Sequence, residues 1–163
     1  MSDKITLERI EKMHPSFRVE LKNQYEFINS KLPKDVRLRF SYTLRTFEEQ
    51  NELYSQGRTK NGRIVTNAKG GQSMHNYGLA FDIVLLYDID KNGTFETAVW
   101  QGKYFDQVVR QLKSYGYEWG GDWKRFKDTP HFQCKKKNVE SWNCRELIGL
   151  PKDENGYPIH KLI

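Results

Sequence analysis

Apolar and polar positions along the chain switch between two periods. Phe17, Leu21, Tyr25, Ile28 and Leu32 are spaced by four and three, which puts them on one face of a helix. His14-Pro15-Ser16 separates this helix from a shorter amphipathic stretch over 5–13, with Leu7 and Ile10 turned inward, and Pro33-Lys34-Asp35 ends it. Val36, Leu38, Phe40 and Tyr42 then alternate with polar residues and predict a half-buried strand. Thr46 with Glu49 three residues later has the form of a capping box, opening a helix that passes Leu53 and Tyr54 and stops at Gly57. Ala80–Tyr87 is the strongest strand, because Ile83–Tyr87 is the longest apolar run. Tyr104, Val108, Leu112 and Tyr115 share one face of a helix over Lys103–Tyr115 that Gly116 closes. Two short strands are expected near Tyr117–Trp119 and His131–Cys134. The segment from Lys135 onward, basic and then mixed, reads as a packed extension with few regular elements.

Between the capped helix and the strongest strand lies a glycine-rich loop, residues 57–72, carrying Arg58, Lys60, Arg63 and Lys69 and no acid. Long loops inside compact domains are commonly functional. The whole chain has 163 residues and a net charge of +6, so one compact domain and a polyanionic partner are expected, nucleic acid or an anionic cell envelope among them. Aromatic residues, 13% of the chain, supply core area that the modest 37% hydrophobic content would otherwise lack. No run approaches the ~20 apolar residues of a membrane span. The polar start at Met1-Ser2-Asp3-Lys4 does not resemble a signal peptide. Cys134 and Cys144 are too few for a disulfide framework and read as reduced thiols.

Of four histidines, His14 and His160 read as solvated surface groups, whereas His75 and His131 have unusual neighbourhoods. Asp82 falls between Phe81 and Ile83 in the strongest strand, where an unpaired carboxylate is costly. His75 stands in the loop feeding that strand, and Gly78 and Ala80 leave room for close approach. Pro130 forbids a regular helix around Asp128-Thr129-Pro130-His131, so Asp128 and His131 sit on an extended strand entry, both facing one cavity. Two nitrogens and one carboxylate oxygen with a place left for water suit a catalytic zinc site, with Asp128 as an unligated general base. The competing reading is structural: Asp82 pairs with a basic residue and the two histidines are ordinary polar groups. The Asp88-x-Asp90-x-Asn92-Gly93 stretch echoes the start of a calcium loop, but Val99 stands where a bidentate Glu belongs, and an ordinary polar turn is the preferred reading over Ca2+.

Ser73-x-His75-x-x-Gly78-x-Ala80-x-Asp82, followed by Asp128-x-x-His131-Phe132, resembles the signature of the zinc peptidoglycan peptidases, which include VanY-like D-Ala-D-Ala carboxypeptidases and L-alanyl-D-glutamate endopeptidases. The upstream stretch from Leu44 to Thr59 is more similar to the endopeptidase branch, where many phage endolysins fall. The resemblance spans about residues 36–133 in three ordered blocks. It implies Zn2+ bound by His75, Asp82 and His131, with Asp128 as catalytic base. It also implies that Arg45 faces the cleft to polarise a carbonyl or hold a substrate carboxylate. Ser73 would support the site or bind substrate, and Gln50 and Trp119 are weaker substrate-binding candidates.

The expectation is an α+β single domain, helices packed on a small, mainly antiparallel sheet with a zinc cleft on its open side, the D-Ala-D-Ala carboxypeptidase/hedgehog-like fold. Its core would cover about 17–134 and its extension 135–163. The expected activity is L-alanyl-D-glutamate endopeptidase cleavage of peptidoglycan stem peptides by a monomeric phage endolysin. Such an enzyme would accumulate in the host cytoplasm, reach the wall through a holin at lysis, and find the anionic envelope without nucleic acid or membrane insertion. The alternatives are a D-Ala-D-Ala carboxypeptidase on the same fold and a non-catalytic basic module for nucleic acid or wall polymer.

Overall fold

Helix α1 (Lys4–Ile10) begins where Asp3 accepts from the Thr6 amide, and α2 (Pro15–Ser30) begins with Pro15 in its first turn, behind His14 as N-cap. Strand β1 (Val36–Tyr42) follows, then α3 (Phe47–Ser55), β2 (Ala80–Tyr87), β3 (Thr97–Val99), α4 (Lys103–Ser114), β4 (Glu118–Trp119), β5 (His131–Gln133) and α5 (Cys144–Ile148). This computed structural model describes residues 3–135 and 141–160. The polar start at Met1-Ser2, part of the basic opening of the extension (136–140) and residues 161–163 lie outside the described residues. None of the described helices is long and apolar enough to cross a membrane.

The strands form one antiparallel sheet in the order β1-β2-β5-β4, with β3 pairing the other half of the β2 edge used by β5. It is the expected α+β arrangement. Phe81 pairs directly with Phe132 across β2 and β5. Their rings stack at 5.8 Å, Phe40 stacks on Phe81 at 4.6 Å, and Tyr117 meets Phe81 edge-on at 5.1 Å. Phe40, Phe81 and Phe132 are fully buried, as are Leu21, Leu38, Ile83, Leu85 and Leu112. Because strand side chains alternate, Asp82, His131 and Gln133 all project from the opposite face of the sheet.

β1 is an edge strand, and its outward amides are covered rather than left open to another chain. The Leu38 amide donates to Asn29 Oδ1 at 2.9 Å and the Phe40 amide to Thr6 Oγ1 at 3.0 Å. Register shifts between Phe40 and Tyr42, a bulge that re-aims the end of β1 beside Asp82.

Two sequence expectations are corrected. His14 is buried, not solvated, because its Nε2 lies 2.9 Å from the Pro158 carbonyl and its ring meets Tyr157 edge-on. His160 is half-buried rather than solvated, its ring edge-on to Trp142 at 5.1 Å. The extension holds one short regular element among its described residues, α5, capped by Asn143, and it buries Trp142, Leu147 and Tyr157. β3 was also not anticipated.

Asp3 ties α1 to the sheet. Its carboxylate accepts from Thr6 Oγ1 at 2.7 Å and from Arg39 at 2.9 and 2.8 Å, while its own amide donates to the Tyr25 hydroxyl. Burial alone would raise this carboxyl, but the hydrogen bonds from Arg39 and Thr6 hold it below the usual carboxylate range. The stability it contributes is therefore complete above its unfolded-state pKa and is lost as pH falls through the lower folded value. Asp3→Ala is expected to cost roughly 3 kcal/mol at pH 7. The deficit should shrink in denaturant titrations at progressively more acidic pH, and a deficit that stays constant would refute this account.

Candidate functional site

A groove of about 500 Å³ opens on the polar side of the sheet. Its floor holds Asp82, His75 and His131. One wall is the loop segment Val65–Ala68 and the other comprises Trp123, Arg125, Phe126 and Asp128.

Three local devices bring the floor together. Asp82 and His131 are cross-strand partners in β2 and β5, so the register alone puts their side chains side by side. His75 lies in a single 3-10 turn, Met74–Tyr77, whose Gly78 follows at φ 67° and lets the chain turn back into β2. A Cβ at Gly78 would come within 2.7 Å of the His14 amide nitrogen, so the close approach here is that of the chain around His14 and Tyr157 rather than of the two site side chains. Arg45 is fixed to the same turn through its amide, which donates to the His75 carbonyl at 3.0 Å.

The donor atoms converge. His75 Nε2, Asp82 Oδ1 and His131 Nδ1 are each 3.2 Å from the other two. Among the described residues, these three are the group of side chains able to hold a metal ion. Each imidazole uses its other nitrogen elsewhere: His75 Nδ1 is 2.6 Å from the Thr43 carbonyl, and His131 Nε2 is 3.1 Å from Gln133 Oε1. Two neutral imidazoles and a carboxylate aimed at one point are a donor set that fits zinc. With no cation at that point, burial would raise the Asp82 carboxyl, but the charge and hydrogen bonds of protonated His75 and His131 imidazoles more than offset it and hold it well below the usual range. Burial would lower the His131 imidazole, yet the Asp82 carboxylate raises it. Asp128 is raised, first by burial and then by the neighbouring Asp82 charge.

Arg45 reaches the groove with most of its surface covered. Its Nη1 donates to Gln50 Oε1 at 2.9 Å, its guanidinium lies 4.5 Å from the Tyr42 ring centre, and Nη2 is 4.0 Å from Asp82 Oδ2. Its buried Nε has no hydrogen-bond partner among the described residues. The structural alternative, Asp82 paired to a basic residue, is thus present only as a long contact. Ser73 lines the groove.

Two substrate-contact candidates are placed elsewhere. Gln50 is fully buried and spans Arg45 and the 57–72 loop, donating to the Ala68 carbonyl at 2.8 Å. Trp119 does not line the groove; it stacks on Phe132 and donates from Nε1 to the Thr129 carbonyl at 2.7 Å, bracing the segment that carries Asp128. Both support walls rather than form them.

The loop over 57–72 is held by α3. Arg58 Nη1 donates to the Tyr54 and Thr66 carbonyls, and the Gly70 amide donates to Asn51 Oδ1. Cys144 also lines the groove, its thiol pushed up to about 11 by burial, and Cys134 is buried; both are free. The Asp88 carboxylate accepts from the Asn92 and Gly93 amides and the Asp90 carboxylate from Asn92, as an ordinary polar turn requires. Sequence reasoning missed Thr43, Gln133, Glu118, Trp123, Arg125 and Phe126. Only Gln133 carried a usable signal, two residues beyond His131 in a strand and so on the same face.

Residues 66–134 match the family model described as D-alanyl-D-alanine carboxypeptidase. The chain is 50% identical over 98 residues to the peptidoglycan L-alanyl-D-glutamate endopeptidase CwlK of Bacillus subtilis (strain 168), 55% of this chain and 55% of that protein. It is 34% identical over 89 residues to the L-alanyl-D-glutamate peptidase of Listeria phage A118, 52% of this chain and 30% of that one. The chain therefore spans about half the length of the first relative and less than a third of the second. The crystal structure of Serratia marcescens L-Ala D-Glu endopeptidase ChiX aligns with a TM-score of 0.56 over 81% of this chain and 87% of that one, at 24% identity, and shares the fold. These matches bear out the resemblance to zinc peptidoglycan peptidases.

Gly120 packs against the Asp128 backbone and His131 Cβ so tightly that an added methyl would collide with the Asp128 carbonyl. Gly120→Ala is expected to destabilise the protein by about 1–3 kcal/mol through backbone displacement. Chemical unfolding measures it, and an unchanged midpoint would show that this contact can relax freely.

Proposed function

We propose that this chain is a zinc-dependent endopeptidase that hydrolyses the L-alanyl-D-glutamate bond of peptidoglycan stem peptides. The observation that carries the reading is the meeting of two imidazole nitrogens and one carboxylate oxygen at the floor of a groove that Asp128 and Arg45 also line. His75, Asp82 and His131 would hold the cation. Bound there, zinc supplies Lewis acidity and lowers the pKa of water toward ~7.

The protein's own groups divide the remaining work. The Asp128 carboxylate takes the proton from the attacking water and delivers it to the leaving amine nitrogen. Arg45 donates to the carbonyl oxygen as negative charge gathers on it, and its fixed position removes the cost of reorganising at that moment. Gln50 and the Tyr42 ring hold the guanidinium in place. Ser73, which lines the groove, would contact the substrate backbone. No covalent intermediate is required, which agrees with thiols whose pKa values burial has raised.

The family description raises a second reading, a D-Ala-D-Ala carboxypeptidase. A carboxypeptidase needs a pocket that ends at the substrate's terminal carboxylate. Val65 and Phe126, which line the groove from two separate chain segments, are 48% and 45% exposed, and a groove with open walls suits a chain that continues past the scissile bond. The phage relative supports a role in host wall lysis, and the net charge of +6 would draw the enzyme to an anionic envelope.

Digesting purified sacculi and identifying the new termini by mass is the direct test. New L-Ala carboxyl and D-Glu amino termini are expected; release of free D-Ala would replace this reading with the carboxypeptidase one. Asp128→Ala should lower kcat by about a hundred- to ten-thousand-fold with zinc content unchanged. Wild-type lysis rates in that variant would remove the assigned base. His75→Ala and His131→Ala should each lose zinc and activity together, as read by metal analysis of dialysed protein, and full metal content in either would break the ligand set.

A further inference from the structure

His75 and His131 must both present an unprotonated nitrogen to the shared point, and they meet that demand in different ways. His75 Nδ1 faces a main-chain carbonyl, that of Thr43. A carbonyl can only accept, so the proton sits on Nδ1 and the lone pair on Nε2. His131 Nε2 faces a side-chain amide instead, that of Gln133. An amide can turn over. With its nitrogen toward His131 it would donate to Nε2 and drive the ring proton onto Nδ1, the atom that faces Asp82 and His75.

The neighbour behind Gln133 decides which way the amide lies. Gln133 Nε2 donates to Glu118 Oε2 at 3.2 Å. Glu118 also accepts from Trp123 Nε1 at 2.8 Å and from the Ser141 hydroxyl. Burial would raise this carboxyl, but the hydrogen bonds from Ser141, Trp123 and Gln133 and the charge of Lys135 hold it below the usual range. An ionised carboxylate has no proton to give. A flipped Gln133 would set its carbonyl oxygen against that carboxylate, while the observed orientation gives each atom a complementary partner. The sheet enforces the order: Glu118 is the cross-strand partner of Gln133, and Gln133 is two residues from His131, so all three share the face that bears Asp82.

We propose that Glu118 and Gln133 are positioning residues that lock His131 as the Nε2–H tautomer and so present its Nδ1 as a metal donor, with Ser141 extending this control to the C-terminal segment. The inference rests on the metal site proposed above. Glu118 does not line the groove and Gln133 lies at its floor; both are assigned their role through the His131 ring, whose ring neighbours are His75 at 5.0 Å and Trp123 at 5.1 Å between centres.

The test uses full-length protein and two readouts. In metal-free protein, at a pH where the ring is neutral, 15N imidazole shifts report the His131 tautomer. Zinc ion titrated against a chelating indicator reports affinity. The Asp82 carboxylate faces Nδ1 and competes for the ring proton, so the relay is read as a difference: wild type should show a larger Nε2–H share than Gln133→Leu, whose zinc affinity should be about 10–100-fold weaker. Ser141→Ala should move both readouts the same way by less. The paired exchange Glu118→Gln with Gln133→Glu puts a carboxylate beside His131 Nε2 and an amide donor behind it. It should restore the wild-type Nε2–H share and bring affinity to within about threefold of wild type, although Gln133→Glu alone juxtaposes two carboxylates and should be worse. This exchange also tests the relay if Gln133→Leu does not fold. A folded Gln133→Leu protein with wild-type tautomer and affinity, or a paired exchange no better than its single variants, overturns the relay. Failure of wild type to bind zinc would instead sink the metal reading, and the tautomer of the metal-free ring would still decide the relay.

Discussion

A carboxylate in the middle of an apolar strand is the constraint around which this protein is arranged. Asp82 is flanked by Phe81 and Ile83, both fully buried, and an isolated ion there would lose several kcal/mol of hydration. Left alone, such a group takes up a proton and ceases to be a ligand. Positive charge on the two facing imidazoles, or a cation shared with them, keeps it ionised, and the rings come from a turn seven residues upstream and a strand 49 residues downstream. Their meeting depends on the sheet being closed. The site is therefore not an ornament on a finished core; the same β2–β5 register that stacks Phe81 on Phe132 sets Asp82 beside His131.

Alternation along β2 and β5 separates these two tasks. One face is a row of aromatic rings, which fixes the spacing and tilt of the strands. The other carries Asp82 beside His131, with His131, Gln133 and Glu118 joined by hydrogen bonds in which donor and acceptor roles are set in sequence from the Glu118 carboxylate. A rigid apolar face makes the polar face precise, because displacement of any strand would open a gap between stacked rings. Gln50 and Trp119 belong to the same logic. One holds Arg45 and the 57–72 loop, the other the Thr129 carbonyl, so both walls are braced from behind by side chains that substrate does not reach.

Most of this frame was legible from periodicity. β1 and β2 occupy the stretches that alternation and apolar run length indicate, and the Thr46–Glu49 capping box opens α3 with both reciprocal hydrogen bonds. The three floor residues were legible because a buried Asp and two histidines in strand-entry loops are costly unless they share a partner. What escaped was non-local or main-chain in origin. His14 looks like a surface residue beside a proline until the Pro158 carbonyl, 144 residues away, closes over it. The Thr43 carbonyl that orients His75 leaves no trace in residue type. β3 is three residues long and partly exposed, so it offers no alternation to read. Gln50 and Trp119 were singled out as residues of the right kind in the right region, but whether such a side chain faces a groove or its backing depends on packing that periodicity does not encode.

The floor and the walls carry different information about substrate. The family match over 66–134 takes in Ser73, His75, Asp82, Asp128 and His131, yet excludes Arg45, α3 and the outer part of the basic loop. Any hydrolase of this kind needs that floor, whichever bond it cuts, because the demand for a cation, a base and a water is common to amide hydrolysis. Selection between a chain end and a chain interior has to lie in the walls, where differential contact with the two substrates is made. Here the wall segments are anchored at their bases, through Gln50, Asn51 and Arg58 on one side and Trp119 on the other, while Val65 and Phe126 stay exposed at the rim. On the proposed reading, a wall fixed at the base and open at the rim would admit a continuing polymer without needing a lid, and it is that geometry, more than the donor set, that favours an internal bond.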